Sequence, residues 1–344
     1  MYDLVISDGT IIDGTGAPAY TGSIGINESR IEHISAGRLY GKHTVDARGL
    51  TVAPGFIDVH THSDISFLTG SRMESKIFQG VTTEIVGNCG VSVFPAPDRD
   101  DYYKLYRDYI SGLLTGADRI KERFKDIGDY RNMLSESGMA VNCGIMVGHG
   151  TLRICAMGFE DRKPTGEDMD KMKKLLDFQI KHGALGMSLG LIYPPGSFAG
   201  KQELTELAGV IKAHDAVLAV HLRNENDGIF EAVKEMTGIA KATGVHVHIS
   251  HLKLMGELSR NKAGKLLSLI DIANREGAVV TCDQYPYSAS STTLAVLVPS
   301  PIHQGGTGKM LKRLREKPAA FEQQIEKHPN MRECCCPNWR RAWN

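Results

Sequence analysis

Two histidines one residue apart, His60 and His62, follow the apolar run Phe56-Ile-Asp-Val59. On an extended segment alternate side chains point the same way, so both imidazoles can face one metal ion. Cys89, in the turn-like Gly87-Asn-Cys-Gly90, adds a thiolate, and His221 and His251 add two further imidazoles. Each of the five stands at or just beyond the end of a strand-like run. A mixed nitrogen and sulfur set suits zinc, which accepts four such ligands or keeps one position for water. A lone His-x-His is more often one hydrogen-bonded and one surface histidine, and a lone cysteine is often an inert small hydrophobe. The metal reading gains from position, because core histidines have no reason to collect at one end of successive strands.

Other side chains at the same ends can handle substrate. Lys253 lies two residues after His251 and Arg223 two after His221, so each can present positive charge to a carboxylate. Against this, Lys253 can sit in an internal ion pair, and Glu225 is close enough in sequence to occupy Arg223. Tyr285 and Ser291 leave the last predicted strand in a loop that also holds Asp283, Tyr287 and Ser288. A phenol there can orient a carbonyl or carboxylate, or simply pack across the strand ends. Asp58 and Asp64 flank the histidine pair and are placed to orient ligands. Strand alternation turns His246 and His248 away from the Val245, Val247 and Ile249 side, and only His251 is expected as a ligand. His149, in Gly148-His-Gly150, is expected at the same mouth. No complete phosphate-loop or dinucleotide signature occurs, and no serine sits in a strand-to-helix elbow.

These residues need elements that bring distant segments together. Apolar strand candidates occur at 56–60, 82–86, 141–147, 185–189, 217–221, 245–250 and 278–282. Amphipathic helices fit 165–180, 203–213, 229–243 and 262–275. Seven strands mostly joined by helices predict an α/β fold of the (β/α) TIM-barrel type, in which side chains after the C-terminal ends of the strands share one mouth. Residues 1–54 read instead as short strands separated by Asp-Gly and Gly-rich turns, a small β-domain portion, with residues 55–344 forming the barrel.

Composition narrows the partners. The 344 residues carry 40 basic and 40 acidic side chains, so no net field draws the chain to nucleic acid or an anionic membrane. No run is long and apolar enough to span a bilayer, and no signal peptide is evident, which makes a cytoplasmic location the expectation. The seven cysteines show no disulfide framework.

Taken in order, Asp13-Gly-Thr-Gly16, Ala53-Pro-Gly-Phe-Ile-Asp-Val-His-Thr-His62, Gly80-Val-Thr-Thr-Glu-Ile-Val-Gly-Asn-Cys-Gly90, Gly148-His-Gly-Thr-Leu-Arg153, His221-Leu-Arg-Asn-Glu225, Ser250-His-Leu-Lys253 and Asp283-Gln-Tyr-Pro-Tyr287 resemble the linked motifs of the D-aminoacylase, or N-acyl-D-amino-acid deacylase, family of the metal-dependent amidohydrolase superfamily. The resemblance covers roughly residues 3–300. It implies a barrel with a small β-sandwich, and one tightly held Zn2+ on Cys89, His221 and His251. His60 and His62 then contribute to a second, weaker metal position. It further implies that Lys253, Tyr285, Ser291 and Arg223 bind a small-molecule N-acyl amino acid, which metal-activated water hydrolyses to a carboxylate and a D-amino acid. Another cyclic-amide or dipeptide amidohydrolase is the alternative enzyme.

The chain departs from the family after the seventh strand. The family places a proton-transferring aspartate after an eighth strand, whereas Glu316, Glu322, Glu326 and Glu333 follow no convincing strand, and Cys334 to Asn344 does not resemble the family's continuation. The expectation is a C-terminally truncated member with an incomplete barrel. Its exposed edges would invite self-association, its catalytic acid is unassigned, and an inactive metal-binding homologue is a further alternative.

Overall fold

The computed structural model describes residues 1–70, 72–255, 261–287 and 289–318. Ser288, Glu322, Glu326, Glu333 and the triple cysteine at 334–336 lie outside the described residues. The chain divides into two compact units, Met1–Phe56 and a second beginning at Ile57.

In the first unit β1 (Tyr2–Ile11) is central. It pairs antiparallel with β2 (Tyr20–Asn27), which pairs in turn with β3 (Arg30–Ser35), and on its other side it runs parallel to β4 (Gly41–Asp46) and β5 (Thr51–Val52). Asp8-Gly9 reads in sequence as a turn between two strands. The structure makes it an irregularity within one strand: the register shifts between Ile6 and Gly9 while Asp8 takes a positive φ of 56°. An aspartate can adopt that conformation, and an extra residue then fits without ending the pairing. Val5, Ile11, Ile24 and Ala47 are buried, whereas Ile31, Val45 and Leu50 stay exposed.

The second unit contains all seven expected strands. β6 (Phe56–Asp58), β7 (Val81–Val86) and β8 (Asn142–Ile145) form one set, in which β7 and β8 run parallel; β9 (Val147–Gly148), β10 (Gly186–Gly190), β11 (Val217–His221), β12 (His246–Ile249) and β13 (Val279–Cys282) form the next, all parallel and in unbroken spatial order. β8 and β9 are the two parts of the strand predicted at 141–147. They are joined at Met146, whose N–H donates to the Val86 carbonyl, so the curved sheet runs on across the break. Among the described residues β6 and β13 each have a neighbouring strand on one side only, and Phe56, Ile57 and Val279 are more than half exposed there.

The helices are α1 (Glu74–Ile77), α2 (Asp100–Leu113), α3 (Ile127–Ser137), α4 (His149–Met157), α5 (Gly166–Lys181), α6 (Lys201–Ala213), α7 (Ile229–Thr243), α8 (Ala263–Arg275) and α9 (Thr307–Glu316). α5 starts where its capping box directs. Thr165 accepts from the Asp168 N–H while the Asp168 carboxylate takes the Thr165 N–H, satisfying two donors that the first turn leaves open. Apolar stripes of α5 to α8, among them Met172, Leu176, Leu207, Ile211, Val233, Met236 and Leu266, share one core with Met187, Leu189, Leu218, Val220, Val247 and Ile249 of the strands. Each such fully buried side chain contributes about 1.5–3 kcal/mol relative to exposure. No described helix is long and apolar enough to cross a membrane.

Candidate metal centre

The parallel strands deliver their C-terminal ends to one place, and the cysteine lies at its centre. Cys89 Sγ is 3.3 Å from His60 Nε2, 3.6 Å from His221 Nδ1 and 3.6 Å from His251 Nε2. The rings crowd edge to face, with centroids 4.7 Å apart for His60 and His251 and 4.4 Å for His221 and His251. Four-coordinate zinc with bonds of about 2.3 Å to sulfur and about 2.0–2.1 Å to nitrogen separates those ligand atoms by about 3.5 Å. The donor spacing therefore fits zinc, although the residues come from four different strand ends. His62 packs edge-on against His60 at 5.4 Å between centroids. It lies beside the cluster but outside the close group of His60, Cys89 and His251; His221 is outside that group too and forms another with Glu225 and His251.

Electrostatics favours the same donors. Burial first, then the neighbouring His251, carry the His60 imidazole down to about 2, and burial carries His221 down to about 3. Both rings therefore stay neutral and keep a lone pair at physiological pH. Burial pushes the Cys89 thiol well above its ordinary value. It is thus a neutral thiol until a cation compensates the charge of the thiolate. The His60 Nδ1 and His221 Nε2 atoms are buried without a hydrogen-bond partner among the described residues.

Two of these ligands sit on strained backbone: Cys89 has φ 53° and His251 φ 40°. Such conformations cost about 1–3 kcal/mol each and persist where the surroundings fix them. Around Cys89, the Gly90 N–H donates to Ser188 Oγ at 3.0 Å, and the Gly90 carbonyl accepts from Tyr109 Oη at 3.0 Å and from the Gly150 N–H at 2.9 Å. His251 gives its own N–H to Asp283 Oδ1 at 2.6 Å, while Asp283 Oδ2 accepts from His248 at 2.8 Å. Gly190 completes the Cys89 support by close approach, since a Cβ there would lie 2.0 Å from the Cys89 carbonyl oxygen. Gly190→Ala should shift the Cys89 turn and weaken zinc binding at least tenfold. Titration against a chromophoric chelator checks this.

The remaining sequence candidates divide. Lys253 is at the centre, with Nζ 2.6 Å from Glu225 Oε1 and 5.6 Å above the Tyr285 ring. Tyr285 is half-buried, and Ser291 is exposed and, among the described residues, makes no contact with the cluster that would assign it a role. Arg223 points elsewhere: its guanidinium binds the Glu235 carboxylate at 3.1 Å and donates to the Ser197 and Ala199 carbonyls. Its occupant is thus Glu235 on α7, not Glu225, and the guanidinium is not free to meet a carboxylate. Asp58 pairs with Lys76, and Asp64 accepts the Gly87 N–H beneath the Cys89 turn. His149 is not at the mouth; it begins α4 and bonds Glu203 at 2.8 Å among the helices. His246 and His248 turn away from the buried Val247 and Ile249, as alternation requires, and both reach Thr281 Oγ1.

Sequence reasoning missed two neighbours of the cluster. Tyr193 stacks edge-on against His221 at 5.0 Å and hydrogen-bonds Thr292 Oγ1 at 2.8 Å. Its signal was faint, a single phenol in a Pro-rich loop after β10. Glu225 bonds Lys253 and lies 3.1 Å from His251 Nδ1. Its place four residues after His221 was visible, but not the direction of its side chain.

A cysteine and histidine cluster at the C-terminal mouth of parallel (β/α) strands defines a metal-dependent barrel protein. Comparison with known proteins narrows that class. Residues 43–293 match the Amidohydrolase family, and the chain belongs to it. It is 37% identical over 294 residues to a D-aminoacylase of Alcaligenes xylosoxydans xylosoxydans, and 36% identical over 293 residues to an N-acyl-D-glutamate deacylase of that organism. Each match covers 85% of this chain, which spans 59% and 58% of those relatives' lengths. An N-acyl-D-glutamate deacylase structure from Bordetella bronchiseptica, complexed with zinc and a phosphonate mimic of the tetrahedral intermediate, superposes with a TM-score of 0.77 at 33% identity, over 95% of this chain and 70% of that one.

Proposed function

We propose that the protein is a zinc-dependent hydrolase of N-acyl-D-amino acids. The observation that carries the reading is that nitrogens of His60, His221 and His251, from three strand ends, each approach the Cys89 thiol of a fourth within 3.6 Å, with His60, Cys89 and His251 forming one close donor group. Relatives described as D-aminoacylase and N-acyl-D-glutamate deacylase supply the substrate class.

Cys89, His221 and His251 would hold the ion, with His60 and His62 at its side. Zinc in such a site polarises a carbonyl and lowers the pKa of water. The chain's own residues do the rest. Lys253, half-buried with Tyr285 beneath it, would turn its ammonium from Glu225 to the substrate carboxylate. Burial and the Glu225 charge raise the Tyr285 hydroxyl, so it stays a neutral donor. Tyr193, held by Thr292, packs its ring against the His221 side.

The test is turnover by zinc-loaded protein of paired D and L N-acetyl amino acids, with acidic and neutral side chains. The expected result is release of the D-amino acid only. Hydrolysis confined to cyclic amides would replace this reading with that of another amidohydrolase. A second reading, a metal-binding protein without turnover, is favoured by one feature. Two carboxylates beside the cluster are already engaged, Glu225 by Lys253 and His251, and Asp283 by His248 and the His251 N–H. Stoichiometric zinc with no amino acid released from any isomer would select it.

A further inference from the structure

Glu225 is buried on the loop after β11 and faces the outer edges of two imidazoles whose inner edges face Cys89. His251 turns Nε2 to the thiol at 3.6 Å and Nδ1 to Glu225 Oε1 at 3.1 Å. His221 turns Nδ1 to the thiol at 3.6 Å and Nε2 to Glu225 Oε2 at 3.7 Å. A neutral imidazole has one N–H and one lone pair, and a carboxylate on one side draws the N–H to itself. Glu225 can thereby aim the His251 lone pair inward; at 3.7 Å its other oxygen is beyond hydrogen-bond reach of His221 Nε2 and acts on that ring only through its charge. We propose that Glu225 is a positioning residue that fixes the tautomer of His251, and by its charge favours the matching tautomer of His221, for metal binding from outside the ligand shell, an inference that rests on the zinc reading above.

Glu225 could instead be a ligand, since it forms a close group with His221 and His251. That group is already filled by a cation. Lys253 Nζ sits 2.6 Å from Glu225 Oε1 and 3.2 Å from both His251 Nδ1 and the His251 carbonyl. A metal bound through the outer nitrogens would have to displace this ammonium. Lys253 also sharpens the argument, because it competes for His251. An ammonium donating to Nδ1 would place the His251 proton on Nε2, aimed at Cys89. The carboxylate opposes this by accepting hydrogen bonds from both the Lys253 ammonium and the Nδ1–H. Glu225 is held for the role by His251 and Lys253, both of which approach its Oε1. Its backbone is pinned as well, with the Glu225 carbonyl accepting the Met255 N–H at 2.9 Å.

The experiment compares zinc affinity, by chelator competition, and the cobalt-substituted absorption spectrum for wild type, Glu225→Gln and Lys253→Met, with circular dichroism on each zinc-free protein. The expected result is a 10–100-fold loss of zinc affinity in Glu225→Gln, as for other residues that orient metal-bound histidines. Lys253→Met should lose less than threefold, with the sulfur-to-cobalt band kept in both. Equal affinity of Glu225→Gln and wild type overturns the inference while leaving the zinc reading intact. Equal losses in both variants overturn it too, and make the ion pair merely structural. Loss of one of two bound ions in Glu225→Gln would make Glu225 a ligand. A wild type without zinc affinity overturns both readings. Should Glu225→Gln lose its fold, Glu225→Asp with unchanged circular dichroism serves instead, and wild-type affinity there counts against the inference.

Discussion

Cys89→Ser should lose at least a hundredfold in zinc affinity, with circular dichroism of the metal-free protein unchanged. The reason is geometric before it is chemical. Sγ is the atom that the His60, His221 and His251 nitrogens all approach within 3.6 Å, so its removal takes the shared vertex from the cluster. A serine hydroxyl fills the space but gives up its proton far less readily than a thiol, and it is a poorer partner for zinc. The fold should not suffer, because serine keeps the small side chain at a turn that Ser188, Tyr109 and Gly150 hold through the neighbouring Gly90. Chelator competition and metal analysis after dialysis read the outcome. Full zinc occupancy in Cys89→Ser would break the ligand assignment, since it would show that the three histidines hold the ion without the thiol.

That cluster was legible because parallel strands impose a rule. Side chains from distant segments need only stand after the C-terminal end of their strand to meet, and His60, Cys89, His221 and His251 satisfied it. α7 was legible to the residue, Ile229–Thr243, because its apolar residues recur at helical spacing on one face. α4 offered no such pattern: nearly all its residues, from His149 to Met157, are buried, so it has no polar face to set a period. α2 and α3 also escaped the reading, although Tyr106, Tyr109 and Ile110 of α2 and Ile127, Tyr130 and Leu134 of α3 face the core at helical spacing. Strongly charged stretches and Gly116 between them masked that stripe. The same limit governs Arg223 and Glu225. Sequence placed both after β11, but only packing shows one turning to α7 and the other to the histidines.

The largest stability effect belongs away from the metal, at Glu203. Its carboxylate lies in the helix layer, where Oε1 bonds His149 Nε2 at 2.8 Å and Oε2 accepts from Arg153 Nη1. Arg153 is fully buried, and its other terminal nitrogen donates to the Glu160 and Arg162 carbonyls at 3.2 Å. Glu203→Ala therefore strands a guanidinium in the interior with carbonyls but no counter-charge. Loss of one partner of a buried pair costs about 3–5 kcal/mol, a large share of the roughly 5–15 kcal/mol that holds a domain folded. Glu203→Gln keeps the shape and an acceptor for one of the two donors, and should cost less than Ala. Replacing both charges, as in Glu203→Leu with Arg153→Met, should recover part of the loss, because the apolar pair avoids the desolvation that the ions bear. Urea unfolding of the metal-free proteins measures all three, and the order Ala, Gln, then the double variant in decreasing cost is the signature of an uncompensated charge. Were the double variant as unstable as Glu203→Ala, the hydrogen bonds to His149 and the two carbonyls, and not the charge balance, would be what joins α4 to α6.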